Sequence, residues 1–204
     1  MSRFISPVVL AVYIFLSTSS FASAQMPTEV VARQHPPDPA FSKVTSAQLS
    51  RMLGKNMFGK EMLDFLIDKR HRPLASFAGE PSKKGLAAVE FLWPSDGINV
   101  FCDSTSTIQQ ISLTLSNWKG EIPFGLKGDM QSADVIGKLG APTRSISPIP
   151  GIAGTVLYYD NHGLKVFFSP TPEAKELADK KDQEQLKALK HVESLSAVMI
   201  FKTK

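Results

Sequence analysis

One motif occurs twice in the chain, and the repetition limits the available folds more than any other feature. Gly79-Glu80-Pro81 is followed by Phe91-Leu92-Trp93, a turn ending in Asp96-Gly97, and Ile98-Asn99-Val100-Phe101-Cys102. Gly140-Ala141-Pro142 is followed by Leu157-Tyr158-Tyr159, a turn ending in His162-Gly163, and Leu164-Lys165-Val166-Phe167-Phe168. A unit written twice, with no catalytic motif in either copy, points to a scaffold that binds through its surface.

Hydrophobic spacing supplies the elements of each copy. Strands are expected over 87–93, 97–103 and 107–115 in the first copy, and over 155–160, 163–169 and 195–202 in the second. Ile98, Val100 and Cys102 alternate with polar or aromatic neighbours, as do Ile111, Leu113 and Leu115. That period of two gives one buried and one wet face, the mark of antiparallel sheet. Gly97 closes a turn where a positive φ is needed. Helical spacing covers Ser46–Leu53 and resumes from Gly59 towards Pro73, with Lys69, Arg70, His71 and Arg72 expected to close the helix and be solvated. A short helix follows Ser132 as N-cap and ends at Gly140. In the second copy, about twenty residues from Thr171 to Lys190 replace the tight turn Ser104-Thr105-Ser106. They read as one charged helix, capped by Thr171, with Pro172 in its first turn and Glu176-Lys180 one turn apart. The fold class is therefore α+β: two tandem units, each a helix on an antiparallel sheet of about three strands, with an extra helix inserted in the second.

The ends of the chain carry different information. Residues 1–24 have the form of a secretory signal peptide: Arg3, an apolar run Val8–Leu16, and Ala22-Ser23-Ala24 as cleavage site. The run is shorter than the roughly 20 residues a membrane span needs. Cleavage near Ala24 places the mature protein in the periplasm or outside the cell, with no membrane span. It removes one charged group, Arg3, and lowers the formal charge from +4 to +3. Residues 25–44, with Pro27, Pro36, Pro37 and Pro39, read as a flexible linker with little fixed structure before Val44. The units then occupy 45–117 and 118–204. The Lys and Arg residues form no stripe with aromatic readout positions, so a nucleic-acid partner is not expected. A single cysteine, Cys102, excludes an intramolecular disulfide and a cysteine-based metal site.

The order helix, Gly-x-Pro, hairpin, strand resembles the β-lactamase-inhibitor-protein-like fold, and each half is similar to the small outer-membrane-assembly lipoproteins of the BamE type. The residues that carry the resemblance are Leu139-Gly140-Ala141-Pro142 and the hairpin glycines Gly97 and Gly163. The phrase Gly120-Glu121-Ile122-Pro123-Phe124-Gly125-Leu126 also looks like the linker of exported or immunity-type bacterial proteins of this shape. The resemblance implies protein–protein binding without catalysis.

The chain carries few signs of chemistry. The chain has no G-x-S-x-G elbow, P-loop, dinucleotide fingerprint or H-E-x-x-H. His35, His71, His162 and His191 are scattered, and no metal or other cofactor is expected. Cys102 sits on an apolar strand face, which predicts an inert, buried thiol. Glu90 and Asp103 read as solvated or turn-capping. The expected role is an exported, non-enzymatic protein-binding module: an inhibitor, an immunity factor or an envelope accessory whose partner is another exported protein. Its expected contact residues are the sheet aromatics Trp93, Phe101, Tyr159 and Phe167, with Lys180 and Lys187 on the inserted helix. The alternative is an exported hydrolase or small-molecule binder using a groove between the units, with Cys102, Asp103, His162 and Glu90 as its candidates.

Overall fold

Alternation in the sequence becomes alternation in burial. The computed structural model describes residues 36–78, 88–146, 154–180 and 182–203. Within these, eight strands form one antiparallel sheet: β1 (Leu74–Ala78), β2 (Ala88–Trp93), β3 (Ile98–Cys102), β4 (Ile108–Thr114), β5 (Arg144–Ile146), β6 (Val156–Tyr159), β7 (Leu164–Pro170) and β8 (Glu193–Phe201). Ile98, Val100 and Cys102 are fully buried, whereas Asn99 and Phe101 between them are half-buried.

The order across the sheet is β1-β2-β3-β4-β8-β7-β6-β5. Strands β1 to β4 form one half and β5 to β8 the other, and β4 pairs antiparallel with β8 in the middle, from Gln110↔Phe201 to Thr114↔Ala197. The expected pair of three-stranded sheets is thus replaced by a single larger sheet. The two strands absent from the sequence reading are β1 and β5, at the outer edges. Both are short, and the polar, Pro-rich sequence around β5 hides any period.

The turns after β2 and β6 are built alike. Each is a short 3₁₀ stretch (Pro94–Asp96 and Asp160–His162) ended by a left-handed glycine, Gly97 at φ 68° and Gly163 at φ 59°. Each glycine carbonyl accepts a hydrogen bond from the next strand over, Gly97 O from Thr114 N at 2.7 Å and Gly163 O from Phe201 N at 2.8 Å. Both following strands slip register at the matching place, between Phe101 and Cys102 and between Phe167 and Phe168.

Helices α1 (Ser46–Met52), α2 (Lys60–Leu66) and α3 (Ser132–Leu139) contribute Leu49, Met52, Met62, Phe65 and Val135 to the core formed with the apolar sheet face. Thr45 and Gln48 form a capping box on α1. The cap of α3 is Gln131, which exchanges bonds with Asp134, rather than Ser132. The expected inserted helix is two: α4 (Pro172–Asp179), capped by Thr171 as expected, and α5 (Gln183–Ala188), capped afresh by Asp182. Among the described residues, no helix is long and apolar enough to cross a membrane.

The expected linker also needs correction at its end. Asp38 caps a 3₁₀ turn over Pro39–Lys43, and Phe41 and Val44 are buried. Phe41 lies edge-on to Phe65 (5.9 Å), Trp93 (6.3 Å) and Trp118 (6.3 Å), geometry that aromatic rings favour. The expected leader, its cleavage site, the first Gly-Glu-Pro and His35 lie outside the described residues.

Two glycine substitutions separate backbone strain from propensity. A Cβ on Gly163 would meet Phe201 O at 2.3 Å at a positive φ, while one on Gly137, inside α3, meets nothing within 4 Å. Gly163→Ala is expected to destabilise by about 2–3 kcal/mol, and Gly137→Ala to stabilise by up to about 1 kcal/mol. Urea unfolding of the two variants checks both signs.

Candidate protein-binding face

The sheet has two faces of different character. Cross-strand partners in an antiparallel sheet point the same way, so the register defines each face. The row Trp93, Ile98, Leu113, Val198, Val166, Leu157 crosses six strands and is buried throughout. The adjacent row on the opposite face runs Leu74, Leu92, Asn99, Ser112, Met199, Lys165, Tyr158, Arg144 and spans all eight strands. None of these eight residues is buried. Flanking rows on this second face hold Glu90, Phe101, Gln110 and Phe201, and Ala197, Phe167 and Val156.

Of the four expected aromatic contacts, Phe101 and Phe167 lie on the second face and are half-buried. Trp93 and Tyr159 do not: they are 1% and 2% exposed, respectively. Each is the last strand residue before its turn and points into the core. Their polar atoms are satisfied there, Trp93 Nε1 donating to His71 O at 3.2 Å and Tyr159 Oη to Gly140 O at 3.2 Å. Both are therefore corrected from contact to core residues. Tyr158 takes the place expected for Tyr159 on the second face. The run Val156-Leu157-Tyr158-Tyr159 offers two tyrosines in opposite phase, and only the pairing Tyr159↔Leu164 decides between them.

Around Tyr158 the face becomes cationic. The Arg144 guanidinium lies 3.9 Å from the Tyr158 ring centre, and Lys165 Nζ lies 5.5 Å from Tyr158 and 5.4 Å from Phe201. Such cation–π contacts hold long side chains flat on a sheet and leave their charge available to a partner. Lys180 and Lys187 are exposed on or next to the inserted helices, with Lys180 paired to Glu176 at 2.6 Å.

The residues of the hydrolase alternative are not gathered. Cys102 is fully buried, and burial, with the nearby Asp103 charge adding to it, pushes its thiol up to about 11. Asp103 closes the β3–β4 turn: it accepts from Thr105 Oγ1 (2.7 Å), Thr105 N (2.8 Å), Thr107 N (3.0 Å) and Gln109 Nε2 (2.6 Å). Glu90 lies on the second sheet face, and His162 is exposed in its turn beside Phe124 and Tyr159. Among the described residues, no three His, Cys, Asp or Glu side chains converge as metal ligands would.

A buried polar cluster escaped the sequence reading. Asp96, 1% exposed, accepts from Asp38 N at 2.6 Å and shares a 2.9 Å hydrogen bond with His71 Nδ1. Asp38 accepts from Arg70 N at 2.6 Å and Ala40 N at 3.0 Å. Lys69, expected in solvent, is 7% exposed, its ammonium 5.0 Å from the Phe65 ring and 5.4 Å from Phe41. The cluster ties the start of the described chain to the end of α2 and to the β2–β3 turn, and its role is structural. The sequence signal was available: Asp38-Pro39 is a helix start, an N-cap followed by proline.

Comparison of the chain with protein families, curated proteins and solved structures finds no match in any of the three.

The burial predicts that Cys102 in the native protein resists a water-soluble thiol reagent at neutral pH and reacts on unfolding, as a labelling time course with and without denaturant will show. The carboxylates predict an acid limb. Burial pushes the Asp38 carboxyl up, but the amides of Ala40, Arg70 and His71 together outweigh it and hold the group below its ordinary range. The Thr105 hydroxyl leads in doing the same for Asp103. Lowered folded-state values contribute stability that is fully present above the unfolded carboxylate range. That stability is lost as pH falls from about 5. Urea unfolding at several pH values should show a shallower acid limb for Asp38→Asn combined with Asp103→Asn than for the parent.

Proposed function

We propose that the protein is an exported, non-enzymatic binding module that recognises another exported protein through the second face of its sheet. The observation that carries this reading is the eight-residue row from Leu74 to Arg144, with Phe101 and Phe167 beside it, half-exposed on a hydrogen-bonded platform. Aromatic side chains held on rigid strands bury much area at little entropic cost, which suits them to interface centres. The matched turns and register slips on either side of the sheet support a duplicated unit. On that basis each half of the sheet supplies one aromatic at an equivalent place, Phe101 and Phe167. The order helix, Gly-x-Pro, hairpin, strand in the sequence resembles the β-lactamase-inhibitor-protein-like proteins, and that resemblance implies a binding role. Burial of Cys102 and the turn-closing role of Asp103 weaken the hydrolase alternative, which loses its nucleophile.

The test is affinity capture from periplasmic extract with the parent protein, a Phe101→Ala/Phe167→Ala variant and a variant lacking residues 171–190. A partner retained by the parent and bound on the order of tenfold or more weaker by the double alanine variant supports the reading. Identical capture by parent and double variant contradicts it. Both substituted residues are only half-buried, so the double variant should keep its cooperative unfolding, whereas Trp93→Ala should lose about 3–5 kcal/mol.

A further inference from the structure

The open face of the sheet carries positive charge at one end and leaves it unmatched there. Arg144, Tyr158 and Lys165 are cross-strand neighbours in one row, on β5, β6 and β7. Residues 141–159 contain no Asp or Glu, and Glu193 is the only acid in β4, β8, β7, β6 and β5. Glu193 pairs with Pro170, five residues along β7 from Lys165, or about 17 Å. Glu90 shares the open face but sits on β2, four strands from β7 and so about 19 Å across the sheet. Among the described residues the ion pairs belong to Lys55, Lys60, Lys69, His71 and Lys180, so neither Arg144 nor Lys165 has a carboxylate partner.

Both cations are held in place by aromatic rings. At 3.9 Å from the Tyr158 ring centre the Arg144 guanidinium is at stacking distance. A stacked guanidinium uses its plane on the ring and keeps its in-plane N–H donors for a carboxylate. Lys165 Nζ lies 5.5 Å from Tyr158 and 5.4 Å from Phe201. Met199, Phe201 and Phe167 beside them are half-buried. Arginine, tyrosine, methionine and phenylalanine are the side chains that protein interfaces concentrate.

We infer that the partner presents an acidic segment to this end of the face, its carboxylates meeting Arg144 and Lys165 and an adjoining apolar side chain resting on Met199 and Phe201. The inference rests on the open face being the binding face and adds the chemistry of what binds there. A phosphate backbone is disfavoured, since it calls for a stripe of cations and this end has two set among apolar groups. A second copy offers one acid on this face, Glu90, to two cations.

The test follows backbone amide chemical shifts of the full chain during titration with the synthetic peptide Asp-Phe-Glu-Phe-Asp and its neutral counterpart Asn-Phe-Gln-Phe-Asn. The acidic peptide should give saturable shifts centred on Arg144, Tyr158, Lys165 and Met199 that weaken in high salt. Arg144→Gln/Lys165→Gln should bind it about tenfold more weakly while keeping the parent's spectral dispersion. Equal shifts from the neutral peptide, undiminished binding by the double variant, or no shift with the acidic peptide overturns the inference. The capture test with Phe101→Ala/Phe167→Ala then still decides whether the face binds a protein at all, whereas shifts confined to the helices contradict that reading as well. A stronger response to phosphatidylglycerol vesicles or to a DNA oligonucleotide overturns the inference in favour of a phosphate surface, and a dimer lost on Glu90→Gln overturns it in favour of a second copy.

Discussion

The β4–β8 pairing is the interaction on which the rest depends. Five cross-strand pairs from Gln110↔Phe201 to Thr114↔Ala197 join the two four-stranded halves. Leu115 N to Ser196 O and Lys202 N to Gln109 O extend the joint at either end. The buried row from Trp93 to Leu157 and the open row from Leu74 to Arg144 both cross this seam. Without it there would be two narrow sheets, each with another edge to protect and half of the apolar surface that the helices cover.

The apolar face explains where the buried aromatics had to go. Trp93 needs both area and a partner for its indole N–H, and the end of β2 gives it Phe41, Phe65 and the His71 carbonyl. The chain before α1 is drawn into the same cluster because Phe41 fills the space between Phe65, Trp93 and Trp118. The polar contacts among Asp38, Asp96, His71 and Arg70 then satisfy the backbone that this crossing buries. Buried carboxylates are tolerated there because each accepts more than one hydrogen bond.

Much of the sheet was legible before any coordinates. The six inner strands follow from runs of β-forming residues, with period-two alternation plain in β3 and β4, and Gly97 and Gly163 mark their turns because a positive φ is needed there. Edge strands β1 and β5 were not legible, since an edge strand with one neighbour needs no strong pattern. Asp38 and Lys69 were misread for a related reason: proline and charge predict solvent only until a cap or an aromatic pair makes burial affordable. At the candidate face, Phe101 and Phe167 follow from strand phase alone. Tyr158 against Tyr159 depends on register, which a single strand cannot reveal.

The most direct measurement is native-state hydrogen exchange at the seam. The amides of Leu115 and Lys202, which donate across the seam to Ser196 O and Gln109 O, should exchange only with global unfolding, at the same free energy as the strongly buried strands β3 and β7. Exchange at a distinctly lower free energy would mean that the halves part while each stays folded, and a continuous binding platform would be contradicted.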